Sequence, residues 1–480
     1  MSEPVPAPAG YVPKKLIICC DGTWRNSDSG IFKGTGLSWL WRGQEQVATN
    51  VTRISRAIKT TDSRGKQQVI FYQAGVGSEG NLIERIVGGA LGVGLAANIR
   101  EAYSFLANNY VPGDEIFLIG FSRGAFTARS VGGMIGDLGL LTTDGLDNLV
   151  DIFEDWENAG SSGYQTLLGK DEANFTVKTG IADPKAYVSQ YRSALLQLGF
   201  TRPETIPIKA IAVWDTVGSL GIPVNPILQR LGLPTVLREY RFYNTDLGSN
   251  VENAFQALAL DEARSAYRPA LWQKLPGMTA NLKQTWFPGV HTNIGGGYPD
   301  QGLSNITLAW MMSNLSPFLD FTPDYILKQH EKHQTALRKA KVPETGLKWA
   351  ASQLKNTSSG LRALLGITWR QPGRYHVLNK KTLTVLHDKP LQNTCERIHV
   401  AVRSRDVTGG LNEKDKVVGY KPKALKKGEY ELIDGAAEPG KASWRYVGKD
   451  KVFTREVLQE DELGAFEKEI FRDYVSGGAR

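Results

Sequence analysis

The chain opens its first long apolar run at 16–20, Leu-Ile-Ile-Cys-Cys, and Asp21-Gly22 stops it. Five consecutive apolar residues bounded by turn formers are too few for a helix and read as a buried strand. The same pattern recurs at 68–73, closed by the glycines of 74–77, and at 115–120, 206–214 and 283–287. Between these runs the period changes. Ile99, Ala102, Tyr103, Leu106 and Tyr110 line one face of a helix over 98–110, which Pro112-Gly113 ends, and a second helix is predicted over 124–138. Strands alternating with helices at this interval predict an α/β fold: a mostly parallel central sheet with helices on both faces. Loops at the carboxyl ends of such strands are where chemistry belongs.

Other segments break the rhythm. Residues 1–13 are rich in Pro and Ala and read as a flexible N-terminal segment. Residues 14–316 form the main unit, with a more polar, helix-like insertion at about 144–205 capping the sheet. The Ala/Leu-rich stretch that ends at Asp261 reads as a helix. From 317 to 480 the pattern fades into a Lys-rich accessory C-terminal region, punctuated by Arg370-Gln371-Pro372-Gly373.

Composition adds limits. With 480 residues, 41% hydrophobic and 22% charged, the chain has material for a large core. The net charge of +8 is mild, and its excess lies late, at Lys380-Lys381 and across 414–427. That excess suits a solvated surface or peripheral contact with an anionic membrane. No basic run is interleaved with aromatics, so nucleic acid is not an expected partner. Cys19 and Cys20 fall inside a strand and Cys395 stands alone, which predicts thiols rather than disulfides or a zinc site. With no apolar leader and no spanning stretch in view, the expectation is a cytoplasmic protein without a cofactor or metal.

Gly120-Phe121-Ser122-Arg123-Gly124 is a G-x-S-x-G sequence between a predicted strand and a predicted helix. Glycines at both flanks let a strained turn lift the serine clear of the backbone. A serine needs a base, and the six histidines are His291, His330, His333, His376, His387 and His399. His330 and His333 lie in a polar helix, and His376 and His387 in the accessory region. His291 follows a strand and precedes Gly295-Gly296-Gly297. Asp215 ends another strand, with Asp246 and Asp261 as reserve acids. The order Ser122, Asp215, His291 is that of α/β-hydrolases. The N–H groups of Gly22, Thr23 and Arg123 are candidate oxyanion donors, although Asp21-Gly22-Thr23-Trp24 also reads as a plain turn. A phosphatase start of the Asp-x-Asp-Gly-Thr type is excluded, because Cys19 stands where its nucleophilic aspartate would be.

These residues resemble the α/β-hydrolase domain of the type VI secretion phospholipase effectors and their uncharacterised bacterial and fungal relatives. The matching stretches are 20–24, 98–103, 120–129, 213–217, 254–262 and 286–298, with a weaker late element at 396–399. The resemblance implies a triad of Ser122, Asp215 and His291, and for the secreted members it implies phospholipase activity. Gln256 departs from a frequent histidine, and Thr292-Asn293 from a frequent Ser-Asp. The expected reaction is hydrolysis of a carboxylic ester, with a lipid or phospholipid acyl ester as substrate. An acyltransferase using the same acyl-enzyme, and a silent member that binds partners, are the alternatives.

Overall fold

The apolar runs become neighbouring strands of one sheet in the computed structural model, which describes residues 7–22, 47–75, 90–161, 163–168, 177, 183–217, 246–339, 350–358, 366–378, 385–426, 429–433, 440–449 and 456–475. The first six strands are β1 (Lys15–Cys20), β2 (Gln68–Gln73), β3 (Glu115–Phe121), β4 (Ile208–Trp214), β5 (Asn253–Ala259) and β6 (Asn281–Phe287). The later ones are β7 (His376–Leu378), β8 (Val385–Pro390), β9 (Glu396–His399), β10 (Gly410–Leu411), β11 (Val417–Val418), β12 (Tyr430–Ile433), β13 (Ser443–Tyr446) and β14 (Val457–Asp461). Ten of them form a sheet in the order β12-β13-β14-β9-β6-β5-β4-β3-β1-β2, while β7/β8 and β10/β11 are separate ribbons. From β2 across to β14 every neighbour is parallel; β13 alone runs against them, and β12, antiparallel to β13, returns to their direction.

Why the central strands read as unbroken apolar runs is visible in the core. Alternate residues of a strand face opposite sides. Leu16 and Ile18 pack with Leu118 beneath the helices Ala90–Asn109 and Arg123–Leu138, while Ile17, Phe117 and Ile119 pack on the other face with Trp214 and the helix Gly302–Leu315. Both faces are covered, so both must be apolar. Phe153 of the helix Leu149–Glu157 and Tyr191 of the helix Pro184–Gln197 join the first core, so the predicted insertion lies against that layer.

One expected element changes type. The Ala/Leu-rich stretch before Asp261 is not a helix but β5, buried along its full length between β4 and β6. Ala and Leu favour helices by well under 1 kcal/mol per residue, which burial of seven residues in a central strand outweighs. The chain after residue 316 supplies β9, β12, β13 and β14 to the same sheet, and a third core forms there around Trp286, Ile398, Trp444 and Leu458.

Registers bring strand ends together. Cys20 lies opposite Gly120, Phe121 opposite Trp214, Trp214 opposite Ala257 and Ala259 opposite Phe287. The residues that follow Cys20, Phe121, Trp214 and Phe287 therefore leave the sheet at one edge.

Candidate active site

Ser122 sits between β3 and the helix Arg123–Leu138 with φ 59° and ψ −120°, a backbone conformation that non-glycine residues rarely adopt. Its N–H donates to the Trp214 carbonyl at 3.1 Å. The flanking glycines are required by contact. A methyl group on Gly120 would come within 2.4 Å of the Gly124 carbonyl oxygen, and one on Gly124 within 2.1 Å of the Cys20 carbonyl oxygen. The strained turn is thus clamped by backbone packing against the end of β1.

Ser122 Oγ lies 2.8 Å from Nε2 of His291, and Nδ1 of His291 lies 2.6 Å from Oδ2 of Asp215. All three side chains are buried or nearly so. His291 opens the short helix His291–Gly295, where its N–H donates to Glu262 Oε2 at 3.2 Å. The imidazole lies against the Phe121 ring at 4.7 Å and meets the Tyr267 ring edge-on at 4.9 Å. These contacts leave the ring little freedom.

Asp215 has φ 36° and stands just beyond β4. Its Oδ1 accepts the Ala259 N–H at 3.0 Å, and its Oδ2 accepts both His291 and Nη2 of Arg370, the latter at 3.0 Å. Full burial would push this carboxyl up, but the Arg370 charge and the His291 hydrogen bond outweigh burial and hold it below the ordinary carboxylate value. Glu262 is likewise pushed up by burial and brought below its ordinary value by the Arg264 guanidinium, which it grips at 2.9 and 2.8 Å.

Of the remaining candidates, Gly22 packs beside Ser122: a methyl group there would lie 3.3 Å from Ser122 Cβ. Its N–H donates to Asp21 Oδ1 at 2.6 Å. Arg123 is the first residue of its helix, where geometry directs N–H groups out of the helix end. Thr23 lies outside the described residues. Asp246 binds Gln273 and faces Lys185, and Asp261 accepts from Gly289 N–H and Tyr420 Oη–H, so neither reserve acid meets His291. His399 is buried elsewhere, bonded to Glu467 at 2.7 Å and stacked on Phe287. His376 and His387 face each other on the β7/β8 ribbon.

The model of the T6SS phospholipase effector Tle1-like catalytic domain matches residues 14–314. The chain belongs to the Tle1-like phospholipase effector family. An uncharacterised protein of Saccharomyces cerevisiae is 25% identical to this Tle1-like chain over 357 residues, covering 68% of the chain and 44% of the yeast protein. The chain thus spans less than half the length of that relative. Among solved structures, the Tle1 effector bound to the VgrG spike of the type 6 secretion system is 18% identical with a TM-score of 0.29, covering 61% of this chain and 53% of the effector. An uncharacterised protein from Pseudomonas aeruginosa is 16% identical with a TM-score of 0.28, covering 63% and 45% of the two chains.

Two polar residues of this Tle1-like chain near the triad, Gln256 and Asn293, are bonded in place. Gln256 is fully buried and bridges Thr216, the Ala270 carbonyl and Gln284. Asn293 caps its own helix through the Val290 N–H and donates to the Gln353 carbonyl. Three supporting residues escaped the sequence reading: Arg370, Glu262 and Asp21. Arg370 lies 155 positions from Asp215, beyond any local pattern. In the sequence Asp21 reads as a turn residue; in the structure its carboxylate gathers Thr49, Thr52 and Tyr72. Burial nevertheless keeps that carboxyl above the ordinary value.

Proposed function

We propose that this chain hydrolyses carboxylic esters of lipids, phospholipid acyl esters foremost, through an acyl-enzyme on Ser122. The hydrogen-bonded line Asp215–His291–Ser122, at 2.6 and 2.8 Å, carries the reading. Membership of a phospholipase effector family supports the substrate class. In this scheme His291 Nε2 takes the proton of Ser122 Oγ as the oxygen attacks the ester carbonyl. Asp215 holds the imidazole in the tautomer with the proton on Nδ1 and stabilises the imidazolium. In this scheme the N–H of Arg123, at a helix N-terminus, is the donor to the developing oxyanion, with Gly22 packed beside Ser122. His291 then returns its proton to the leaving alcohol, and water repeats the sequence to release the fatty acid.

Labelling by a fluorophosphonate probe together with fatty-acid release from mixed phospholipid micelles tests this. Wild type is expected to label and turn over. Ser122→Ala is expected to lose labelling and on the order of 10⁶ in turnover, with its melting transition kept. His291→Ala should fall comparably, whereas His399→Ala should lower the melting temperature and still label. Labelling that persists in Ser122→Ala, or a folded wild type inert to both assays, would overturn the reading.

A further inference from the structure

Away from Ser122 the molecule has a cavity of about 420 Å³ between the β10/β11 ribbon, the segment around Lys355 and the loop that carries Trp369. Its wall is electrostatically lopsided. Lys355, Arg405, Lys414, Lys421 and Lys423 face Asp261 and Glu413, five cations against two carboxylates. Neither Lys355 nor Lys414, Lys421 or Lys423 is ion-paired among the described residues. Lys423 lies 4.5 Å over the Trp369 ring and Lys355 is 5.7 Å from the Tyr298 ring, contacts that hold a cation without neutralising it.

Arg405 is the decisive member. It is 2% exposed, so its charge lies in the protein rather than in water. Buried cations are normally matched by a carboxylate. Here Nη1 donates to the carbonyls of Ala350 and Ser352, Nη2 to that of Leu411, and Nε has no partner. Burial draws this guanidinium below its usual pKa, and Tyr420, Asp261 and Asp300 only partly offset that. Its hydrogen bonds thus go to carbonyls alone, with the Tyr420 ring 5.4 Å away and Asp261 and Asp300 acting on it without a hydrogen bond, at a cavity already rich in lysine.

We infer that this cavity binds a phosphate group carried on a small hydroxylated body, as in glycerol phosphate or the headgroup of phosphatidic acid. Several converging cations suit an anion of more than one charge. The volume exceeds that of inorganic phosphate and falls within the range of small-ligand pockets. Asn412, Ser358 and the carboxylate of Glu413 on the same wall offer partners for hydroxyls. The cavity also adjoins the candidate active site along the chain. Trp369 precedes Arg370, which touches Asp215, and Asp261 precedes Glu262, which accepts from His291. Resting on the lipid-ester reading, a headgroup held here would be linked to the triad through these two segments. Lys414 belongs to the basic stretch flagged in the sequence; Lys380, Lys381 and Lys427 lie outside the described residues.

The test uses the full-length chain and ether-linked lipids, which lack acyl esters, so the outcome is independent of hydrolysis. Glycerol 3-phosphate is titrated calorimetrically, and co-sedimentation is measured with vesicles of ether-linked phosphatidylcholine with and without ether-linked phosphatidic acid. Saturable binding is expected. It should weaken about tenfold or more in Lys421→Glu/Lys423→Glu, each lysine near an anionic surface contributing about 1 kcal/mol. The control Lys328→Glu/Lys332→Glu, on an exposed helix outside the cavity, should bind as wild type does. Arg405→Met should bind more weakly still, and because it can lose its fold, the exposed double variant carries the comparison. Co-sedimentation that requires phosphatidic acid names a lipid headgroup as the source. Binding of glycerol 3-phosphate alone names a soluble phosphorylated molecule, and the anion site stands. No saturable binding of either probe, or equal weakening by both pairs of reversals, would overturn it.

Discussion

Two residues of the proposed triad, Ser122 and Asp215, have positive φ outside glycine, at 59° and 36°. Such conformations cost on the order of 1–3 kcal/mol and persist where packing dictates them. Ser122 was legible because its strain announces itself in the flanking glycines. Arg370 was not, since a lone arginine in a Lys-rich region carries no local signal. Its guanidinium nonetheless shares Asp215 Oδ2 with His291, and its Nη1 is buried without a partner. The charged groups around the imidazole are then Asp215 and Arg370 on one side, with Glu262 and its Arg264 partner behind the His291 backbone. In Arg370→Gln the Asp215 carboxylate is no longer shared with a cation and stabilises the imidazolium more strongly. Because the Arg370 charge is the strongest influence holding the Asp215 carboxyl low, its loss should move the acid limb of the kcat/KM profile to higher pH. A drop in kcat at every pH with an unmoved limb would reduce Arg370 to a packing role.

At the scale of elements, the informative failure is β5. Its composition favours a helix, yet Asn253–Ala259 pairs with β4 and β6 and has no exposed position. A short run of buried Ala and Leu has no periodicity to distinguish strand from helix, so the neighbours decide. The consequence reaches Asp261, which continues the strand edge and accepts from Gly289 N–H at 2.7 Å, tying β5 to the loop before His291. Burial raises this carboxyl from 3.8 to about 6, against the hydrogen bonds from Gly289 and Tyr420 and the charge of Arg405. For an acid whose folded value is raised, the favourable contribution is complete below the unfolded value and is lost as pH rises through the folded one. Wild type should therefore lose stability relative to Asp261→Asn as pH climbs from about 4 to about 6, measured by urea unfolding of both proteins at several pH values. Parallel stability curves across that window would remove Asp261 as a titrating group of the fold.

At the scale of the whole molecule, one sheet joins the first strand to the last. β9 pairs with β6, β14 with β9, and Trp286 of β6 is fully buried with its indole N–H on Glu396 Oε2 at 2.9 Å. A chain ended near residue 316 would leave β6 as an open edge and uncover Trp286, a loss comparable to the roughly 3–5 kcal/mol of removing a large buried aromatic. Such a truncation is expected to be insoluble or to lack near-ultraviolet circular dichroism, and a soluble fragment with a cooperative melt would contradict this. Among the described residues no helix is long and apolar enough to cross a membrane. The sequence by itself determined the parallel α/β frame, because buried strands and amphipathic helices write their periods locally. It also marked Ser122, Asp215 and His291, because each follows a strand in a turn of recognisable composition. Only the tertiary structure decided that β5 is a strand, that the late strands complete the sheet, and that Arg370 and Arg405 carry their charges inside. Those outcomes depend on contacts between residues far apart in the chain, and such contacts leave no period and no motif behind.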